Sequence, residues 1–286
     1  MARTPYTLRM PPRLLAPVVV ASPHSGRDYD WDFVSPTVLD GRGLRSSEDA
    51  FVDRLLADVP TLGVPLLAAE VPRAFVDLNR AAEELDPALV RDVPRGGANP
   101  RVSSGLGVIP RVVAQGRSIY RGTISREEAG RRIDAAWRPY HARLAALMDD
   151  AARGWGRAVL LDVHSMPHEA IENAASHGRT PDVVLGDRFG ASAAASVTDA
   201  VEAAMAAQGF RVVRNAPFAG AYIAQAYGRP AEHRHAVQIE IDRALYMDER
   251  TLEPSPRFDA VRAALLGAVA EICAALGGRS EALAAE

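Results

Sequence analysis

The chain reads as an α/β protein with a mixed, largely parallel central sheet flanked by helices. Three observations predict this. Short apolar runs of strand length recur along the 286 residues, and helical patterns lie between several of them. In addition, two of the apolar runs stop abruptly at a His-Ser pair, His24-Ser25 and His164-Ser165. Polar groups gathered at strand ends are typical of open α/β sheets, which bind ligands at that edge.

In chain order, the strand-like runs are Val18–Ala21, Val64–Ala68, Phe75–Leu78, Ala158–Val163, Asp182–Leu185, Arg211–Arg214 and Ala236–Ile241. Leu160 to Val163 belongs to an apolar run too short for a helix, which should stop before Pro167. Between the runs, Glu48–Ala57 is short and amphipathic. Ser125–Ala152 opens with Ser125 and Glu128 spaced as a capping box, and Pro139 should kink it or split it. Arg188–Gln208 is alanine-rich and stops at Gly209. A last helix should begin at Ser255-Pro256, with serine as cap and proline at the first position, and end at Gly277-Gly278. The Pro/Gly-rich stretch Asp92–Gly107 reads as a functional loop rather than a linker, so one domain is expected over residues 1–286.

Composition narrows the function. The formal net charge is −3, and the arginines are interleaved with acids, so no basic stripe marks a nucleic-acid partner. The lone Cys273 excludes an internal disulfide and a Cys-rich zinc site, and suits a reducing compartment. Pro11, Pro12, Arg13 and Pro17 interrupt the N-terminal region. No window is apolar for long enough to span a membrane, so a cytoplasmic protein is expected.

Four further segments place polar residues where a plain core would not. Val18 to Gly26 is a buried strand that runs into His24-Ser25. Ser46-Ser47-Glu48-Asp49 sits at an expected helix start, where the helix dipole alone would favour acids. In Phe75 to Arg80, Asp77 and Asn79 should share one strand face. In Val237 to Arg243, the residues Gln238, Glu240 and Asp242 share one face. A carboxylate inside such a run is costly unless it is paired or used. Asp162 and His164 likewise share a face. Two histidines and a carboxylate match a catalytic zinc site with one open position, and the chain has no His-Glu-x-x-His helix.

Taken together, these segments resemble the N-formylglutamate amidohydrolase (deformylase) family, which is related in fold to the zinc carboxypeptidases. The resemblance covers nearly the whole chain. It rests on Ser-Pro-His-Ser-Gly at 22–26, Val-Asp-Leu-Asn-Arg at 76–80, Ile-Tyr-Arg-Gly at 119–122 and Trp-Arg-Pro-Tyr-His at 137–141. It continues with Asp-Val-His-Ser-Met-Pro at 162–167, Val-Val-Leu-Gly-Asp-Arg-Phe-Gly at 183–190, Asn-Ala-Pro-Phe-Ala-Gly at 215–220 and Gln-Ile-Glu-Ile-Asp-Arg at 238–243. It implies a phosphorylase/hydrolase-like, zinc-carboxypeptidase-like fold. It also implies hydrolysis of N-formyl-L-glutamate to formate and L-glutamate, at the last step of a histidine-degradation route.

The resemblance further implies one Zn²⁺ per chain on His24, His164 and a carboxylate. Carboxypeptidases place a glutamate three residues after the first histidine, but Arg27 stands there in this chain. Asp49 is the expected replacement, with Glu48 and then Asp28 as alternatives. Asp77 would fix the His24 tautomer, and Asp162 would stand behind His164. Glu240 is expected as the catalytic acid/base, Arg121 as the partner of the oxyanion, and Asn79 with Arg80 as the clamp on the substrate α-carboxylate. A second carboxylate would need Arg73, Arg188, Arg229 or Arg243, and the sequence does not choose among them. Two other readings remain: a carboxypeptidase-like or other N-acyl amino acid deacylase, and a non-catalytic protein that binds acidic ligands.

Overall fold

The computed structural model describes residues 3–31, 37–94, 99–172 and 180–277. The chain forms two compact units, each assembled from three stretches. The first comprises Leu8–Ser22, Phe51–Leu67 and Leu144–Glu286; the second comprises Met1–Thr7, Pro23–Ala50 and Ala68–Arg143.

Among the described residues, seven strands form one sheet: β1 (Tyr6–Arg9), β2 (Val18–Ser22), β3 (Leu66–Ala69), β4 (Ala158–Met166), β5 (Val183–Gly186), β6 (Val212–Arg214) and β7 (Arg234–Asp242). Their spatial order is β1-β3-β2-β4-β7-β5-β6. β2 pairs parallel with β4, and β4 parallel with β7. β5 runs antiparallel to β7 and parallel to β6. The sheet is therefore mixed and largely parallel, as the sequence predicts. β4 is buried along its whole length, which accounts for its nearly unbroken apolar run.

Among the described residues, eight helices accompany the sheet: α1 (Gly41–Arg45), α2 (Val52–Leu55), α3 (Pro100–Ser103), α4 (Arg126–Arg132), α5 (Arg138–Trp155), α6 (Ala195–Ala207), α7 (Tyr222–Tyr227) and α8 (Phe258–Leu276). α6 and α8 pack side by side, and α7 lies against β7 and β4. α8 buries Phe258, Val261, Leu265, Ala268, Val269, Ile272 and Leu276, the three-and-four spacing of a single apolar stripe.

The element boundaries differ from expectation where local polar groups intervene. The Ser125 hydroxyl caps α4 by accepting from the Glu128 N–H at 3.1 Å, as the capping box requires. The long helix then passes through one π turn, Ile133–Trp137, just ahead of Pro139. That turn absorbs the missing proline N–H without breaking the run. α6 begins at Ala195 rather than Arg188 because residues 188–190 are left-handed and Asp187 closes a turn onto the Gly190 N–H. α8 begins at Phe258, with the Ser255 hydroxyl accepting from the Arg257 N–H at 3.2 Å. It ends at Leu276, and Gly278 lies outside the described residues.

Three expectations are corrected. Phe75–Leu78 is a turn, not a strand. Glu48 and Asp49 lie between α1 and α2 rather than at the start of a helix. β1 has no counterpart among the expected strands, because Tyr6–Arg9 is half-exposed and lacks an apolar run. Residues 92–107 have both flanks in one unit, so the described part of this stretch is a loop and not a linker.

Candidate active site

Chain connectivity and register bring the polar strand ends together. β2 ends at Ser22, two residues before His24, and its neighbour β4 runs parallel to it and on through His164. On the next strand, Glu240 of β7 is in register with His164, and Gln238 with Asp162. The alternation read from the sequence therefore holds in both strands. Asp162 lies behind His164, with Oδ2 3.1 Å from Nε2, and the Gln238 amide donates to Glu240 Oε1 at 2.8 Å.

His24 is held on two sides within its own unit. Its Nε2 donates to Asp77 Oδ1 at 2.7 Å, and its Nδ1 stands 3.5 Å from Asp49 Oδ2. The Asp49 N–H donates to the His24 carbonyl at 3.0 Å, which ties the two segments by backbone as well. Gly26 allows the chain to leave His24 closely packed, since a Cβ there would meet the Val71 carbonyl oxygen at 2.0 Å.

Asp77 organises a tight turn. Its Oδ1 also accepts from the Asn79 N–H at 2.8 Å, and its Oδ2 accepts from Arg73 Nε at 3.0 Å. This Asx-type turn replaces the expected strand, because the side chain offers the backbone a competing acceptor. Burial alone would raise the Asp77 carboxyl, but Arg73 and His24 hold it well below the usual carboxylate range.

Asn79 and Arg80 are buried. The Arg80 guanidinium donates through Nε to the Leu106 carbonyl and through Nη1 to the Asn79 carbonyl, both at 2.9 Å. A carboxylate would therefore meet the Nη1/Nη2 end of the fork. Burial lowers the Arg80 pKa, against the pull of Asp77. The Trp137-to-His141 motif buttresses this turn. Trp137 Nε1 donates to the Arg80 carbonyl at 2.8 Å and His141 Nε2 donates to the Leu78 carbonyl at 2.9 Å, with the two rings 4.0 Å apart. Arg121 is exposed, next to a Tyr120 whose hydroxyl is anchored by buried Arg132 at 2.6 Å.

The carboxylate alternatives now separate. Glu48 accepts from the Tyr29 hydroxyl at 2.5 Å and from Arg45 Nε at 3.2 Å; burial raises its pKa, opposed by Tyr29 and Arg45. Asp28 is partly exposed and paired with Arg3. Among the described residues, His24, Asp49 and His164 form a buried group that could hold a metal ion, with one donor atom of each within 4.8 Å of the others. The donor chemistry fits a cation. Each ring has its Nε2 beside a carboxylate, which makes Nδ1 the nitrogen a metal would take. Both Asp162 oxygens are buried with no hydrogen bond of good geometry. A buried carboxylate in that state calls for positive charge nearby.

The arginine candidates separate as well. Arg73 is bonded to Asp77, and Arg229 is paired with Glu232. Arg243, buried, donates to the Ser165 hydroxyl at 3.2 Å and to its carbonyl at 3.3 Å. The Arg188 guanidinium has no partner among the described residues. It is set by a left-handed turn two residues beyond Gly186, the register partner of Gln238. One contributor escaped sequence reasoning: the Leu106 carbonyl, in the 92–107 loop, left no residue signal. The sequence places Gln238 on one strand face with Glu240, but it does not show the hydrogen bond between them.

Comparison with known proteins identifies relatives of this chain. The family model for N-formylglutamate amidohydrolase matches residues 16–247. An N-formylglutamate deformylase of Pseudomonas aeruginosa is 32% identical over 241 residues, 82% of this chain and 83% of that protein. One from Pseudomonas putida is 30% identical over 239 residues, 82% of each. The crystal structure of N-formylglutamate amidohydrolase from Ralstonia eutropha JMP134 superposes with a TM-score of 0.88 at 36% identity, covering 96% of this chain and 99% of that one. The strand-end histidines, the Asp77 turn and the Glu240 strand thus sit in a chain that belongs to the N-formylglutamate amidohydrolase family.

Proposed function

We propose that this chain is a zinc-dependent amidohydrolase that cleaves N-formyl-L-glutamate with water to give formate and L-glutamate. One observation carries the reading: a buried His24–Asp49–His164 group in a chain of this family, with Glu240 in register with His164. A bound Zn²⁺ would supply hydroxide near neutral pH and polarise the formyl carbonyl. Glu240 takes the proton from the attacking water and passes it to the departing amine. Asp77 fixes the tautomer of His24 through its hydrogen bond, and Asp162 places its negative charge beside His164 Nε2. The Arg80 fork, with Asn79, clamps the α-carboxylate, and Arg121 supplies the positive partner of the oxyanion. Arg188 reads the side-chain carboxylate, being the arginine of the four without a partner among the described residues. A place in cytoplasmic histidine degradation is supported by the family resemblance. No described helix is long and apolar enough to cross a membrane.

The test is formate release from N-formyl-L-glutamate by purified protein, with chelator and with zinc add-back. Release that chelator abolishes and zinc restores is the expected result. No release from zinc-loaded protein overturns the substrate, and release that survives metal removal overturns the metal.

A further inference from the structure

We infer that Gln238 is a positioning residue: it holds and aims the Glu240 carboxylate, and the backbone of the 219–221 loop sets Gln238 in turn. The inference rests on the reading of Glu240 as the proton-transfer group. Both side chains are buried on the same face of β7. The Ala221 N–H donates to Gln238 Oε1 at 2.9 Å, and Gln238 Nε2 donates to Glu240 Oε1 at 2.8 Å.

The direction of this relay is fixed by chemistry. A backbone N–H can only donate and an ionised carboxylate can only accept. The amide must therefore turn its oxygen to Ala221 and its nitrogen to Glu240. With Oε1 pinned, the Glu240 carboxylate cannot rotate about its last torsion, and proton transfer depends on that alignment.

The far end of the relay is built in by Gly186. It pairs with Gln238 across the antiparallel β5–β7 ladder. A Cβ on Gly186 would stand 2.5 Å from the Gly220 nitrogen and 2.7 Å from the Ala219 carbonyl carbon, both backbone atoms. Only glycine lets the loop settle so closely on the strand. The loop is also tied to the end of β5. The Arg188 N–H donates to the Ala219 carbonyl at 2.7 Å, and the Asn215 N–H donates to the Leu185 carbonyl at 2.8 Å. Ala221 stands at the N-terminal edge of α7, and its N–H is given to Gln238. The Asn-Ala-Pro-Phe-Ala-Gly motif at 215–220 thereby gains a role, since it leads the chain to the donor that orients the base.

The test is steady-state kinetics on N-formyl-L-glutamate with Gln238→Met, which keeps the length of the side chain but removes its donor and acceptor. It is compared with Gly186→Ala, which leaves Gln238 intact and displaces the loop. We expect Gln238→Met to lower kcat about 10- to 100-fold with KM changed less than about threefold. In a Glu240→Gln background the same substitution should cost nothing further, because it acts through Glu240. Gly186→Ala should reproduce the loss in kcat with unchanged far-UV circular dichroism, and it decides the matter if Gln238→Met fails to fold. Wild-type kcat in the folded Gln238→Met or Gly186→Ala variant overturns the relay. So does an equal loss with and without Glu240. A zinc-loaded wild type that releases no formate is a different failure, which removes the proposed function and the relay with it.

Discussion

His141 should make the protein acid-sensitive in a way that one substitution can isolate. The ring is buried, stacks on Trp137 and donates from Nε2 to the Leu78 carbonyl. Burial pushes its pKa down from 6.5 to about 4, against the backbone hydrogen bond. In the unfolded chain the group titrates near 6.5, so between the two values the unfolded state binds more protons. Stability from this group is therefore fully present above about pH 6.5 and is lost as pH falls toward 4. A difference of about 2.5 units corresponds to about 3 kcal/mol. His141→Gln keeps an N–H for the Leu78 carbonyl but does not titrate in this range. Urea unfolding of both proteins at half-unit steps from pH 7.5 to 4 gives the difference in stability, in which acid effects on the other histidines and carboxylates cancel. That difference should fall by about 3 kcal/mol toward pH 4 and be flat above pH 7. Parallel curves across the range would refute a neutral, buried His141.

Two further predictions concern the donor set and the substrate. Asp49→Ala should reduce bound zinc from one per chain to well below it after dialysis against a weak chelator, while Glu48→Ala should retain it, since Glu48 is committed to Tyr29 and Arg45. Elemental analysis decides, and the opposite pattern would hand the ligand role to Glu48. Arg188→Met should raise KM for N-formyl-L-glutamate about 10- to 100-fold, the worth of a charge-assisted contact, and leave KM for N-formyl-L-leucine within about twofold. An equal rise for both substrates would sink the assignment.

Much of the site was legible because its strand residues obey a rigid local rule. Alternation put Asp162 and His164 on one face, and Gln238 with Glu240 on another strand, and the structure keeps both pairings. The apolar lengths of β2 and β4 located the histidines at strand ends for the same reason. Loops obey no such rule. Phe75 to Arg80 has the composition of a strand, but Asp77 captures the Asn79 N–H and His24 Nε2 with one oxygen, and the segment turns. The roles of Arg73 and the Leu106 carbonyl follow from that turn, so nothing in the order of residues could announce them.

In the proposed zinc reading, Asp49 would take the carboxylate place that the sequence next to His24 leaves open. In the carboxypeptidase pattern the carboxylate follows the first histidine by three residues, a position that Arg27 fills here. The backbone beyond His24 explains why no acid from that stretch is needed. Gly26 packs onto the Val71 carbonyl, and the Asp28 N–H donates to the Glu70 carbonyl at 3.0 Å, so the segment is drawn toward residues 70–71. The chain between α1 and α2 instead docks its Asp49 N–H on the His24 carbonyl and brings the Asp49 carboxylate to 3.5 Å from Nδ1. Its neighbour Glu48 is drawn off by Tyr29 and Arg45. A metal site is selected for its donors and their spacing in three dimensions. If the group holds zinc as proposed, donors twenty-five residues apart in sequence would serve as well as donors three apart, because the backbone contact from Asp49 to His24 sets their geometry.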